Sequence, residues 1–429
     1  MAAKPRQDPL VVIFGSTGTG KSDLAVELAL RFNGEIINAD AMQMYRGMPI
    51  VTNKMTVEEQ RGVPHHLLGI IDVNTDTWDI SKFKPEASAI IHDIRKRGRL
   101  PIVVGGTHYY VDSLLFNDRA IEVEEPADSE LSEHPILNGP PELIYQKLRE
   151  VDPIMADRWH PNEIRKIRRS LQIFLRTGRR ASDIYAEQER KRFENQQEAP
   201  WPALLFWVYT EPETLEERLR TRVDKMVDRG VLDEVQSQLD SFSQAASAKK
   251  NIDYTKGIWQ SVGPKELKPY FKSAAKEPRL LNECLENMKV ATRQCAKGQL
   301  RYIRLRTIRG LEQHGLSDSL YLVDSSDLSQ WKEDVVEPAM QITNNFLAGT
   351  PLPLPTAVST TARAVLLDNS HKKGVHCRKV CDTCNRTFTM EHEWEKHLKG
   401  RNHRRALQRA RRRALVVASD AGAVQESPG

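Results

Sequence analysis

Two stretches near the start of the chain have the residue types and spacing that do chemistry. The first is Gly15-Ser16-Thr17-Gly18-Thr19-Gly20-Lys21-Ser22, a phosphate-binding loop. Its glycines let backbone N–H groups turn inward around an anion. Lys21 adds a point charge, and Ser22 offers an oxygen to a magnesium ion. The second is a pair of strand endings, Asp40 after Gly34–Asn38 and Gly105-Gly106-Thr107 after Pro101–Val104. A carboxylate beside an anion site has two readings: a magnesium-water ligand or helix cap, or a general base next to an electrophile. Two glycines followed by a hydroxyl suit close backbone approach to a ligand, with helix capping by Thr107 as the alternative.

The elements that must hold these residues are legible around them. Val11 to Phe14 reads as a short buried strand, and Leu24, Leu28 and the alanines between them repeat at helical spacing. Strand, loop and helix in that order aim a helix N-terminus at the bound anion. In an open α/β sheet the ligand crevice lies past the C-terminal ends of the strands, which brings Asp40 close to the phosphate loop. Phe83, Ala87, Ile90, Ile91 and Ile94 form a helical stripe closed by Gly98. From Pro141 to about Asn195 the pattern is helical. Ile164, Ile167, Leu171 and Phe174 lie on one face, and Arg165, Lys166, Arg168, Arg169, Arg176, Arg179 and Arg180 crowd the rest. Strand character returns at Trp201–Tyr209 and Tyr321–Asp324, and a long helix is expected from about Leu281 to Leu305. His65 and His66, taken alone, read as structural.

Near the C-terminus stands Cys381-x2-Cys384-x12-His397-x5-His403, with Phe388 and Trp394 where a small ββα finger needs its core hydrophobes. Two thiolates and two imidazoles make a closed, structural zinc site. So short a segment depends on the metal, whose binding contributes on the order of 10 kcal/mol to folding. The long gap between the histidines resembles RNA-binding fingers of the matrin and splicing-factor type.

Bulk properties narrow the class. The chain has 429 residues and a formal net charge of +5. Between Lys372 and Arg413 there are 14 Lys/Arg and 4 Asp/Glu, a net of +10, so the remainder, with 49 and 54, carries −5. A basic tail on a mildly acidic, enzyme-like body points to a nucleic-acid partner. The cysteines Cys284, Cys295, Cys377, Cys381 and Cys384 are odd in number and crowded at the end, which favours a metal site over a disulfide framework. No stretch is long and apolar enough to span a bilayer, and the N-terminus lacks a signal segment, so a cytoplasmic protein with shares in mitochondrion and nucleus is expected.

Taken together and in order, the phosphate loop, Asp40-Ala-Met-Gln43-Met-Tyr45, Pro64-His65-His66, Gly105-Gly106-Thr107-His108-Tyr109-Tyr110, Gly257-Ile-Trp259-Gln260 and Thr292-Arg293-Gln294-x-Ala296-Lys297 resemble the tRNA dimethylallyltransferases (tRNA isopentenyltransferases). The resemblance covers residues 10–347, and the appended finger is similar to that of the eukaryotic branch. It implies an α/β fold: a P-loop NTPase-like parallel sheet core over 8–120 and 201–347, with a helical insertion at 121–200 that grips the anticodon arm. A flexible linker is expected at 348–370, a C2H2 finger at 371–413 and a disordered tail at 414–429.

The implied reaction moves a dimethylallyl group from its diphosphate to the N6 amine of adenosine 37, next to the anticodon. The loop Gly15–Ser22 then holds dimethylallyl diphosphate. Asp40 is the general base, Thr107 donates to the bridging oxygen, and Lys21, Arg222 and Mg2+ at Ser22 stabilise the leaving diphosphate. Asp40 and Gln43 meet the adenosine, and Arg165, Arg169, Trp259, Gln260 and Lys297 contact the tRNA. Zn2+ sits on Cys381, Cys384, His397 and His403. The expected partners are the tRNA anticodon stem-loop and the prenyl diphosphate, with no membrane, and the chain is expected to work as a monomer. Pro264 stands where the family usually has an aromatic residue, Gly298 where arginine is usual, and Ser16 where bacterial relatives have proline. Competing readings are a P-loop nucleotide or nucleoside kinase with an RNA-binding finger, and a non-catalytic RNA-binding protein.

Overall fold

The structure, a computed structural model, describes residues 6–116, 134–194, 201–244, 252–368, 376–384 and 386–409. Most of the acidic, Pro/Gly-broken stretch 117–140 falls outside these residues, and the tail after 413 wholly outside them. Two compact units emerge, Met1–Ala120 with Gln197–Asn369, and Ile121–Gln196 with Ser370–Gly429.

The first unit is built on a six-stranded parallel sheet. Its strands are β1 (Leu10–Phe14), β2 (Gly34–Asn38), β3 (His65–His66), β4 (Leu100–Gly105), β5 (Ala203–Tyr209) and β6 (Leu320–Asp324), in spatial order β3-β2-β4-β1-β5-β6. The central strands read as continuous apolar runs because both faces are covered. Along β1, Val12 and Phe14 enter one hydrophobic layer, and Val11 and Ile13 the other. The helix Lys21–Arg31 packs on the second layer through Leu24, Ala25 and Leu28, and the helix Ile80–Lys96 on the first through Phe83, Ala87, Ile91 and Ile94. His66 is structural: its Nε2 lies 2.6 Å from Glu35 Oε2, a buried carboxylate that also takes hydrogen bonds from Arg97 and Arg99.

The order of strands places the chemistry. β4 lies between β2 and β1, with Asn38 opposite Val104 and Gly105 opposite Phe14. The turn Gly105-Gly106-Thr107 therefore stands between Asp40 and the phosphate loop, all three at the C-terminal edge of the sheet.

The stretch expected as a flexible linker is packed in its described part. Tyr321 OH donates to Pro353 C=O at 2.8 Å, Ser359 caps the helix Thr360–Leu366, Thr361 Oγ1 donates to Asp324 Oδ2 at 2.7 Å, and Ala362 is fully buried. Prolines stiffen this segment, and β6 supplies the polar anchors that its composition could not reveal.

The second unit contains the helices Pro141–Val151, Pro153–Arg158, Ile164–Thr177 and Ala181–Glu194, with Ile144, Leu148, Met155, Ile167 and Leu171 in its core. Buried Asp152 joins two of them, accepting from Met155 N–H at 3.1 Å and Ser182 N–H at 2.9 Å. The finger, β7 (His376–Cys381), β8 (Arg386–Met390) and the helix Glu391–Leu398, belongs to this same unit. Arg378 donates to Ala156 C=O at 3.3 Å and to Asp157 Oδ1 at 3.0 Å. His160 Nδ1 accepts from Asn162 N–H, which leaves the ring proton on Nε2, 3.1 Å from Thr387 C=O. Among the described residues no helix is long and apolar enough to cross a membrane.

Candidate active site

The phosphate loop leaves β1 at Phe14 and enters its helix at Lys21. Gly20 sits at φ 88°, a left-handed conformation, and a Cβ there would lie 2.6 Å from the indole of Trp331. Only glycine meets both conditions. Within the loop, Thr19 Oγ1 donates to Ser16 C=O at 3.0 Å and Lys21 Nζ to the same oxygen at 2.6 Å. From the helix Pro212–Asp228, Arg222 Nη1 donates to Thr17 Oγ1 at 2.7 Å. Arg222 Nε is buried and has no hydrogen-bond partner among the described residues.

The electrostatics of the cradle suit an anion. Burial pulls the Lys21 ammonium down to about 8 and the neighbouring Arg222 pulls it further down, against the opposing pull of Asp40. Burial likewise pulls Arg222 down to about 10, again opposed by Asp40. Two desolvated cations in one cradle are short of negative charge, which suits the binding of an anion. Behind the loop, His108 is 3 % exposed, stacked near Tyr302 and edge-on to Phe14. Burial, with the nearby Lys21 charge, holds it down to about 3, so it is a neutral wall.

Asp40 is held by its own strand end. Its N–H donates to Asn38 Oδ1 at 3.1 Å, and Asn38 Nδ2 donates to the carbonyls of Asp40 and Leu67, each at 3.0 Å. Asp40 Oδ1 accepts from Met42 N–H at 3.1 Å, a turn contact and not a helix cap. Thr107 begins the helix His108–Leu115 without capping it. Its Oγ1 instead accepts from Ala41 N–H at 3.0 Å. Because the backbone amide supplies that hydrogen, the hydroxyl's own proton is left to donate elsewhere. Gly106 is confined: a Cβ would lie 2.6 Å from Gln299 Nε2 and 3.1 Å from Asp40 Oδ2.

The sequence matches the model of the IPP transferase family over residues 43–306, and an isopentenyl transferase model over residues 9–68. The chain belongs to the IPP transferase family. A tRNA dimethylallyltransferase of Schizosaccharomyces pombe is 39% identical over 427 residues, covering 95% of this chain and 96% of that protein. The human tRNA dimethylallyltransferase is 35% identical over 421 residues, covering 94% and 87%. A solved eukaryotic dimethylallyltransferase acting on tRNA superposes with a TM-score of 0.81 at 32% identity, covering 96% of this chain and all of that one. Residues 378–404 match a zinc-finger double-stranded RNA-binding model.

The positions expected to meet RNA fall out unevenly. Gln43 Nε2 donates to the carbonyls of Thr52 and Asn53, each at 3.2 Å, so part of its polar capacity ties down the following loop. Gln260 is exposed and donates to Thr77 Oγ1 at 2.7 Å. Lys297 is exposed, 3.9 Å from Glu216 Oε2. Arg165 is exposed on the helix Ile164–Thr177, and Arg169, half-buried, donates to Gln172 Oε1 at 3.3 Å. Trp259 corrects the expectation of RNA contact. It is 6 % exposed, edge-on to Phe242 and Tyr254 in the core, and has no free face for a base. A Cβ at Gly298 would meet nothing within 4 Å, so packing does not forbid the usual arginine there. Pro264 is buried at the first turn of the helix Pro264–Lys272, where a missing N–H costs no hydrogen bond.

Sequence reading missed Asn38, Gln299 and Trp331. Asn38 and Gln299 lie within two or three residues of recognised motif positions, and Gln299 shares a helix face with Thr292 and Ala296; Asn38 bonds the backbone of Asp40, two residues on, and of Leu67, while both partners of Gln299 come from distant segments. Trp331 carries no local signal.

In the finger, the ligand atoms of Cys381, Cys384, His397 and His403 all lie within 4.8 Å of one another. His403 Nδ1 is 3.5 Å from both sulfurs. Tetrahedral zinc with ordinary Zn–S and Zn–N bonds requires an S···N separation of about 3.5 Å. His397 Nε2 is buried without a protein partner among the described residues, and the donor set fits Zn2+.

Proposed function

We propose that this transferase moves a dimethylallyl group from dimethylallyl diphosphate to the N6 amine of adenosine 37 in tRNA. The observation that carries the reading is the sequence of groups along the sheet edge, Asp40, then Thr107, then a doubly cationic phosphate loop. That is the order a displacement needs: proton acceptor, leaving-group donor, leaving-group cradle.

The N6 lone pair forms the new N–C1 bond as the C1–O bond to diphosphate breaks. The amine proton passes to the Asp40 carboxylate. The bonding electrons leave with the bridging oxygen, to which the Thr107 hydroxyl donates. Backbone amides of Gly15–Ser22, Lys21 and Arg222 hold the departing charge. The half-buried Ser22 hydroxyl, with oxygens of the diphosphate, would hold a magnesium ion, which would supply further positive charge there. Since an aryl amine is a weak nucleophile, positioning counts as much as basicity. The adenine leaves its stack to reach the carbon, at a cost of a few kcal/mol. Gln43, with an amide oxygen beyond its two donated bonds, is placed to hold it. Arg165 and Arg169 of the insertion, with Gln260 and Lys297, meet the anticodon arm, and the zinc-loaded finger adds phosphate contacts through Arg401, Arg404 and Arg405.

The deciding test is incubation with labelled dimethylallyl diphosphate and total tRNA, followed by nucleoside analysis. N6-dimethylallyladenosine at position 37 supports the reading. Tight ATP binding with no isoprenoid binding would indicate a kinase instead, and tRNA binding without transfer would indicate a non-catalytic descendant.

A further inference from the structure

The loop that grips the leaving group and the turn that carries Thr107 come from different strands, and one side chain spans them. Gln299, on the helix Pro278–Tyr302, accepts from Thr17 N–H through Oε1 at 2.7 Å. Its Nε2 donates to Gly106 C=O at 3.0 Å. One turn earlier on the same helix, Ala296 C=O accepts from Ser16 Oγ at 3.3 Å. The space a Gly106 Cβ would need lies between Gln299 Nε2 and Asp40 Oδ2. The carboxamide thus touches the cradle with one arm and, with the other, the turn between Asp40 and Thr107.

We propose that Gln299 is a positioning residue for the transfer step: it fixes the gap between the phosphate loop and the Gly106-Thr107 turn, and so the alignment of the Thr107 hydroxyl with the breaking C–O bond. This rests on the roles given above to Thr107 and the phosphate loop. The chemistry of the side chain fits the task. Only a carboxamide of this length offers an acceptor and a donor in one rigid plane at this spacing. Glutamate keeps the acceptor for Thr17 N–H, loses the donor to Gly106, and places a negative charge beside the diphosphate. Methionine keeps the bulk and loses both bonds. Misplacement by about 1 Å costs on the order of 100-fold in rate, and loss of either tether permits movement of that size.

The test is a double-mutant cycle on the full chain, read by single-turnover transfer with both substrates saturating. The variants are Gln299→Met, Thr107→Val and the pair, with tRNA Kd and melting temperature measured on each. The expected result is an on the order of 100-fold slower transfer in Gln299→Met with tRNA Kd within about threefold of wild type. The pair should be little slower than Thr107→Val alone, because Gln299 acts through a group already removed. A full rate in Gln299→Met, or losses that multiply in the pair, overturns the proposal and leaves a packing role. Should Gln299→Met fail to fold, the uncharged Gln299→Leu carries the same cycle: a slow rate that Thr107→Val does not slow further supports the inference, and a wild-type rate or losses that multiply overturn it. A wild-type rate in Thr107→Val itself would instead refute the role given to Thr107, which separates the two failures.

Discussion

Thr107→Val tests the catalytic arrangement most directly, since it replaces a hydroxyl with a methyl of nearly the same shape. In the structure Thr107 Oγ1 accepts from Ala41 N–H at 3.0 Å and caps nothing, so its proton is free for the leaving oxygen. Two losses follow. The Ala41 amide, in a mostly buried stretch, loses its acceptor, at about 1 kcal/mol of stability and a few degrees in Tm. The larger loss is kinetic. A preorganised donor to an oxygen that gains charge in the transition state is worth about 10²–10³ in kcat, or about 2.7–4 kcal/mol. The bridging oxygen of the intact diphosphate is a poorer acceptor than the departing one, so the bond strengthens as the reaction proceeds. The loss therefore falls on kcat, with KM for the prenyl diphosphate changed little. Thr107→Ser restores both bonds. The assay is single-turnover formation of N6-dimethylallyladenosine on an anticodon stem-loop, with melting temperature measured in parallel. A valine variant within threefold of wild type, or a serine variant as slow as the valine one, would refute the reasoning.

Asp40→Asn should slow transfer by about 10²–10⁴ while leaving diphosphate binding intact, because the removed charge is not an anion ligand; turnover retained in a folded protein places the base elsewhere. The pH dependence of diphosphate binding has a definite sign. With Lys21 drawn down to about 8 in the free protein, the ammonium is present below that pH and lost above it. Affinity should fall as pH rises from 8 toward 10, with proton uptake on binding in that window, and Lys21→Arg should flatten the profile; calorimetry in buffers of different ionisation heat reads both, and an affinity constant from pH 7 to 10 contradicts the cradle assignment. Deletion of residues 371–413 should weaken tRNA affinity and flatten its salt dependence without abolishing chemistry, and an unchanged salt slope would assign the finger another task. Arg378→Ala, which removes the finger's bonds to Ala156 and Asp157, should weaken tRNA binding less than the deletion does, as a filter-binding comparison at fixed salt would show.

What could be read without coordinates, and what could not, divides along the range of the interactions. The strand Gly34–Asn38 has the bounds its apolar pattern suggested, and β1, β4, β5 and β6 agree to within two residues, since a buried parallel strand is a short local run bounded by breakers. Asp40 and Thr107 were legible for the same reason. A residue just past a parallel strand faces the crevice whatever the rest of the chain does. The packing of the expected linker is invisible in its own composition because its anchors, Tyr321 and Asp324, lie more than thirty residues upstream. Proline content reports stiffness but says nothing of a docking partner.

Trp259 and Gln299 show the same limit from opposite sides. Trp259 lies in a recognisable motif, and an aromatic near an RNA site invites a stacking role. Burial among Phe242 and Tyr254 assigns it to the core, and burial depends on residues that local pattern does not contain. Gln299 looked like one of many polar residues on a long helix. Its two hydrogen bonds reach back more than 190 residues, to the loop at Thr17 and the turn at Gly106. Local sequence could place the groups proposed to meet the substrates, because each ends a strand. The residue that sets the distance between two such groups must bridge separate segments, so it became visible only once the helix Pro278–Tyr302 was seen lying across both.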